Sequence, residues 1–170
     1  KYSNADMTPD SLRPQSPGFK FLLFDSWTAP ASNEFSSRMF SNCIQMPAPT
    51  INGLPVTKVT FIMSHDTLFS NQRDSLYVSV STDKGVTWTR LQGFSRWLAT
   101  ATTPRWTSHS VDITEFDGQT IQLGFEGVSK YGNAFGLDNI QIKFTTPVPL
   151  TLLNFKAVKL DKTCLLYTSP

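Results

Sequence analysis

The sequence predicts an all-β fold, an antiparallel β-sandwich, and three observations lead to it. Charged residues make up only 16% of the chain while Phe alone occurs 13 times, with Ser, Thr and Asn between the apolar positions. Such side chains suit a pleated, half-buried surface. Apolar and polar residues alternate with period two in several short stretches, most cleanly over Ser75–Ser81, and no segment carries a sustained 3.6-residue apolar stripe. Eleven prolines and nine glycines supply turn signals at short intervals.

Taken in order, residues 1–18, with Pro9, Pro14 and Pro17, lack periodicity and read as a leader or linker. Phe19–Phe24 is a short apolar run that predicts a first strand. Residues 25–56 contain Pro30, Pro47, Pro49 and Pro55 and are too long for a structureless loop, so one or two short strands are expected near Arg38–Gln45. Val59, Phe61 and Met63 alternate with polar neighbours, and Leu76, Val78 and Val80 do the same, each set predicting a half-buried strand. Trp88 and Arg90 belong to a return strand, and Gly93–Leu98 reads as a loop. Ser108–Ile113 and Thr120–Phe125 flank Thr114–Gly118, a tight hairpin turn whose Asp117-Gly118 pair suits positive φ. Leu137–Phe144 closes the domain, with Ile140, Ile142 and Phe144 on one face.

Fifteen basic and thirteen acidic residues leave a net charge of +2, so no global field favours nucleic acid or an anionic membrane. No run of ~18 apolar residues is present to span a bilayer. The chain begins at Lys1 and carries no signal peptide, which fits a processed chain or a fragment. Its two cysteines, Cys43 and Cys164, do not make a disulfide framework, and Cys43 is expected to be a small buried residue.

Ser81-Thr82-Asp83-Lys84-Gly85-Val86-Thr87-Trp88 matches the Asp-box pattern, Ser-x-Asp-x-Gly-x-Thr-Trp, familiar from sialidases. Its mechanics are local. Asp83 accepts backbone N–H groups across the turn, Gly85 supplies a left-handed conformation, and Trp88 points back into the core and locks the hairpin. A propeller would repeat the box every ~40–50 residues, and there is one copy here.

Around that hairpin the order of features resembles a family. Asp74–Trp88 is followed by Trp106, Val111-Asp112-Ile113 and Phe125, and the segment closes on Phe135-Gly136-Leu137-Asp138-Asn139-Ile140-Gln141-Ile142. This resembles the MAM-like jelly roll of bacterial choice-of-anchor J domains and the cleaved-adhesin modules of gingipain-type proteases. The resemblance covers roughly residues 19–144 and is strongest from 58 onward. It implies a jelly roll of MAM/concanavalin-like or galactose-binding-like type, non-catalytic and extracellular, binding a protein or glycan on a surface. Residues 145–157 resemble the Leu-Pro-Val-x-Leu-x-x-Phe opening of a further β domain in type IX–secreted proteins, so 145–170 is expected to be a linker and the truncated start of that domain. The final Cys164–Pro170 resembles translated sequencing-adapter read-through.

The leading expectation is therefore a non-catalytic extracellular binding or adhesion module of a larger secreted or cell-surface protein. An accessory glycan-binding or spacer domain of a secreted hydrolase is the alternative, and a sialidase-like catalytic fragment a disfavoured third. For ligand contact the candidates are Trp27 and Trp97, aromatics that can stack on sugar faces, with Arg96, Arg105 and Asn133 supplying hydrogen bonds. Asp138 interrupts an apolar strand, so it must be paired, hydrogen-bonded or metal-bound. The resemblance implies a structural Ca2+ there, held with Asp25, or with Glu34 or Asp74 in its place; loop N–H groups without metal are the other reading. His65 and His109 stand apart in sequence and read as turn or strand-end residues, and Glu115 and Asp117 as solvated turn carboxylates. Trp88 and Trp106 are assigned to packing.

Overall fold

The structure, a computed structural model, describes residues 21–26, 35–49, 56–71, 73–101 and 105–144, together with the backbone of two strands at 156–159 and 165–168. Two stacked antiparallel sheets form it. The first is ordered β1 (Leu22–Phe24), β9 (Phe135–Phe144), β4 (Thr57–His65), β7 (Arg105–Asp112). The second is ordered β2 (Ser36–Phe40), β8 (Thr120–Val128), β5 (Ser75–Ser81), β6 (Thr89–Ser95), with the short β3 (Ile44–Gln45) also pairing β8. The chain changes sheet between β1 and β2, β3 and β4, β4 and β5, β6 and β7, β7 and β8, and β8 and β9. That interleaving is the jelly-roll solution to burying two apolar faces against each other. β10 (Lys156–Lys159) and β11 (Leu165–Thr168) pair with each other, Lys156 opposite Thr168.

The period-two pattern sets which side chains meet. Val59, Phe61 and Met63 of β4 face Leu76, Val78 and Val80 of β5 and Ile121, Leu123 and Phe125 of β8, and all are buried. Phe61 sits at the centre, edge-on to Phe94 at 5.3 Å and to Phe125 at 5.5 Å, a geometry that aromatic quadrupoles favour.

The Leu137-Asp138-Asn139-Ile140 segment is a β-bulge. Thr60 pairs Gln141 and Ile62 pairs Asp138, so one residue of β4 opposes two of β9. Asn139 takes φ +52 to accommodate it. Without the bulge Leu137 and Ile140, three residues apart, would face opposite sides; with it both pack on the core.

Three expectations are corrected. Thr114–Gly118 is not a hairpin, because β7 pairs β4 and β8 pairs β5, so this turn carries the chain from one sheet to the other. A 3-10 turn at Thr114–Phe116 and Gly118 at φ +81 make the crossing, between buried Ile113 and buried Ile121. Within Gly93–Leu98 the ladder continues, since Ser95 still pairs Ser75. Cys43 is exposed rather than buried, in the link between β2 and β3; Cys164 lies outside the described residues.

Candidate functional site

The Asp-box hairpin joins β5 to β6. Ser81 Oγ donates to Asp83 Oδ1 at 2.7 Å and accepts the Gly85 N–H at 2.8 Å. Thr87 gives its hydroxyl to Asp83 Oδ2 at 2.6 Å and its N–H to Oδ1 at 2.9 Å. Those bonds, the Thr87 hydroxyl first, hold the Asp83 carboxyl down at about 2. Lys84 and Gly85 turn the chain at φ +59 and +88. The Trp88 indole N–H closes the loop on the Gly85 carbonyl at 3.1 Å.

Trp88 locks the hairpin as expected, yet it does not enter the core. It lies on the outer face of the second sheet, because Gly124 beneath it has no side chain: a Cβ there would stand 2.6 Å from Trp88 Cζ3. Gly93 on β6 leaves the same kind of space for Tyr77, whose Cε1 is 2.7 Å from where a Cβ would sit. Beside Trp88 stands Phe40 of β2, ring centroids 5.8 Å apart, with 59% of the Phe40 side exposed to solvent. Three aromatic residues thus share one open face.

Charged groups interleave with them. The Arg38 guanidinium lies over Trp88 at 4.8 Å and that of Arg90 over Tyr77 at 4.2 Å, contacts of cation–π type. Both reach the same carboxylate oxygen, Glu126 Oε2, Arg90 Nε at 2.8 Å and Arg38 Nη2 at 3.1 Å. The Arg90 hydrogen bond is the main reason that the Glu126 carboxyl sits below the usual range. Neither cation addresses Glu126 Oε1. Two polar atoms on this face are buried without a partner, Arg38 Nε and Gln122 Oε1; Gln122 spends its amide N–H on the Ser41 carbonyl at 3.0 Å.

The residues proposed from sequence go elsewhere. Arg96, expected to serve a ligand, is fully buried. It donates to Asp66 Oδ1 and, at 2.9 Å, to Asp74 Oδ2, and reaches the carbonyls of Leu68 and Phe69. Asn133 is buried in the same cluster, its side-chain N–H on Asp66 Oδ2 and its backbone N–H on Asp74 Oδ2. Both are interior anchors for the loops at one end of the sandwich, so neither contacts a surface ligand. Trp97 is half-buried there, bonded to the Thr67 carbonyl at 3.2 Å with Arg73 over its ring at 4.6 Å. Arg105 is exposed at the start of β7, and Trp27 lies outside the described residues. Sequence inspection missed Phe40, Tyr77, Arg38, Arg90, Glu126 and Gln122. A signal was there: Tyr77 and Glu126 fall on the non-core phase of their alternating strands.

The expected calcium pair is not assembled. Phe24 pairs Phe135 and Leu22 pairs Leu137, so Asp25 and Asp138 lie beyond opposite ends of that ladder, roughly 13 Å apart along it. Asp138 faces outward, with Oδ1 on the Asn139 N–H at 2.7 Å and Oδ2 buried without a partner. Asp74 is filled by Arg96, the Ser26 hydroxyl and three backbone N–H groups, and Glu34 lies outside the described residues. No group of three His, Cys, Asp or Glu side chains converges among the described residues. Trp106 packs on the outer face of the first sheet, edge-on to Phe21 at 5.6 Å over Gly136. Asp117 accepts the Thr57 hydroxyl at 2.8 Å.

The two histidines, far apart in sequence, meet. His65 Nε2 and His109 Nε2 are 2.9 Å apart, His65 Nδ1 is 3.0 Å from the Ser95 carbonyl, and Thr107 Oγ1 is 2.8 Å from His109 Nε2. Burial lowers both rings' proton affinity, His109 to about 4.

No family model matches the chain, and no curated protein matches it. Among solved structures, it is similar to TmCBM61 in complex with β-1,4-galactotriose, at 15% identity and TM-score 0.46 over 74% of this chain and 71% of that one. It is also similar to a family 16 carbohydrate binding module-2, at 12% and 0.40 over 74% and 77%, and to a CBM4 structure, at 16% and 0.32 over 61% and 82%.

Proposed function

We propose that this chain is a non-catalytic glycan-binding module of a larger extracellular protein, and that sugar binds on the outer face of the β2-β8-β5-β6 sheet. One observation carries the reading: the exposed ring of Phe40 shares that face with Trp88, Tyr77 and the charged and polar groups of Arg38, Arg90, Glu126 and Gln122. A pyranose presents C–H groups on one side and hydroxyls around its rim. Phe40 offers the apolar contact, Glu126 Oε1 accepts a hydroxyl proton, and the guanidinium N–H groups donate. The rings are seated over glycines and braced by cations, so little ordering is needed on binding. The low charge and Ser/Thr-rich surface support an extracellular setting, and an adhesion role would follow from the identity of the glycan's bearer.

Glycan-array screening of the folded chain, followed by calorimetry on the best hit, tests this. Phe40→Ala is expected to weaken binding about tenfold, the loss of one aromatic contact. Its melting temperature should stay close to that of the parent, because the side chain is mostly exposed. Silence across the array from a chain that melts cooperatively would remove the proposal.

A further inference from the structure

On the premise that this face binds glycan, we infer that its ligand is an acidic one, a polysaccharide carrying uronate carboxylates or sulfates. On the four strands of the sheet, the outward-facing charged residues are Arg38, Arg90 and Glu126: two cations and one anion. The single carboxylate serves both cations through one oxygen, Oε2. The Arg90 side chain is still about half exposed, at 48%, and that of Arg38 partly so.

The manner in which the cations are held sharpens the argument. Each guanidinium carbon lies over an aromatic ring, at 4.8 Å from the centroid of Trp88 and 4.2 Å from that of Tyr77. Contact with the ring and with Glu126 holds each guanidinium in place. It also removes much of the side-chain freedom that an arginine would otherwise lose on binding. A planar carboxylate or a sulfate is the group that a fixed guanidinium edge addresses with two parallel hydrogen bonds. A neutral sugar needs no surplus cation, and a surface that served only for solubility would not immobilise two. At the rim, the ionised Asp83 is matched by the neighbouring exposed Lys84, so the surplus of one cation on the face stands.

Calorimetry of the full chain with an oligogalacturonate and with a neutral galacto-oligosaccharide of equal length, at low and high NaCl, decides the matter. The acidic ligand is expected to bind about tenfold more tightly at low salt, and the advantage should shrink as salt screens it. Arg90→Gln, with its melting temperature checked, should bring the ratio of acidic to neutral binding down to about one, and an unchanged ratio would overturn the assignment. Equal or tighter binding of the neutral ligand would overturn the acidic assignment and leave the glycan reading standing. Binding of neither ligand, with an array silent for neutral and acidic glycans alike, would remove both. Capture of poly-glutamate as tightly as the oligogalacturonate would also overturn it, as mere charge attraction.

Discussion

Arg96 shows how a single residue's surroundings reverse the meaning of its type. Beside Trp97 in a polar segment it looks like a surface donor. In the folded chain it is the largest fully buried side chain among the described residues, held between Asp66 and Asp74 with two loop carbonyls. Replacing it by methionine would leave two carboxylates buried without their counter-ion, so Arg96→Met is expected to cost about 3–5 kcal/mol, read as a lowered urea midpoint. A loss below about 1 kcal/mol, the range of exposed ion pairs, would contradict that role. Sequence could not show this burial, because the two aspartates arrive from the far end of β4 and the approach to β5. Asp83 is the opposite case: its partners lie within four residues, so its turn was legible directly.

At the scale of elements, the bulge in β9 carries a sharp expectation. Asn139 holds φ +52 so that Leu137 and Ile140 both reach the core. Asn139→Gly should leave stability nearly unchanged, whereas Asn139→Val should cost about 1–2 kcal/mol for a branched residue in the left-handed region; denaturant titration of the pair checks it. Equal midpoints for the two would argue against the bulge. The strands were readable from alternation, β5 above all, since local pattern and buried face coincide there. The turn between β7 and β8 was not, because a short polar turn looks the same whether it closes a hairpin or crosses between sheets. Only the pairing of β7 with β4 and β8 with β5 distinguishes them.

For the molecule as a whole, the histidine pair makes stability depend on pH. His65 and His109 come from β4 and β7, and Phe61 and Phe94 pack around them. Both rings sit below the ordinary value near 6.5, desolvation first among the causes. On His65, hydrogen bonds with the Ser95 and Arg96 backbone and the charge of Asp66 favour protonation while the Arg96 guanidinium opposes it, and His65 in turn opposes protonation of His109. The folded protein therefore binds fewer protons than the unfolded chain between about 6.5 and about 4. Stability is full above 6.5 and falls as pH drops through that window, by about 2 kcal/mol after discounting for the half-exposed His109. Urea midpoints at pH 7.5 and 4.5 measure it, and His109→Gln should flatten most of the slope. An unchanged slope in that variant would place the pH dependence elsewhere. Asp83, Asp112 and Glu126, whose carboxyls are held below the usual range, also lose stability as pH falls, mainly at the acid end of the window, so the His109→Gln comparison is what separates the histidine contribution.

By itself the sequence determined what depends on neighbours along the chain. Period-two alternation specified the strands and their core faces, and Ser81–Trp88 specified a hairpin, because backbone geometry and turn chemistry act over a few residues. What only the tertiary structure decided is where separate strands place their outward side chains. The ring of Trp88 lies on a sheet face because Gly124, from another strand, leaves room for it. Arg38, Arg90 and Glu126 meet because β2, β6 and β8 run in one sheet. Asp25 and Asp138 fail to meet because the β1–β9 register sets them at opposite ends. Contacts between distant segments follow from pairing order and register, which are settled when the whole apolar surface is buried at once and are not written in any one stretch of residues.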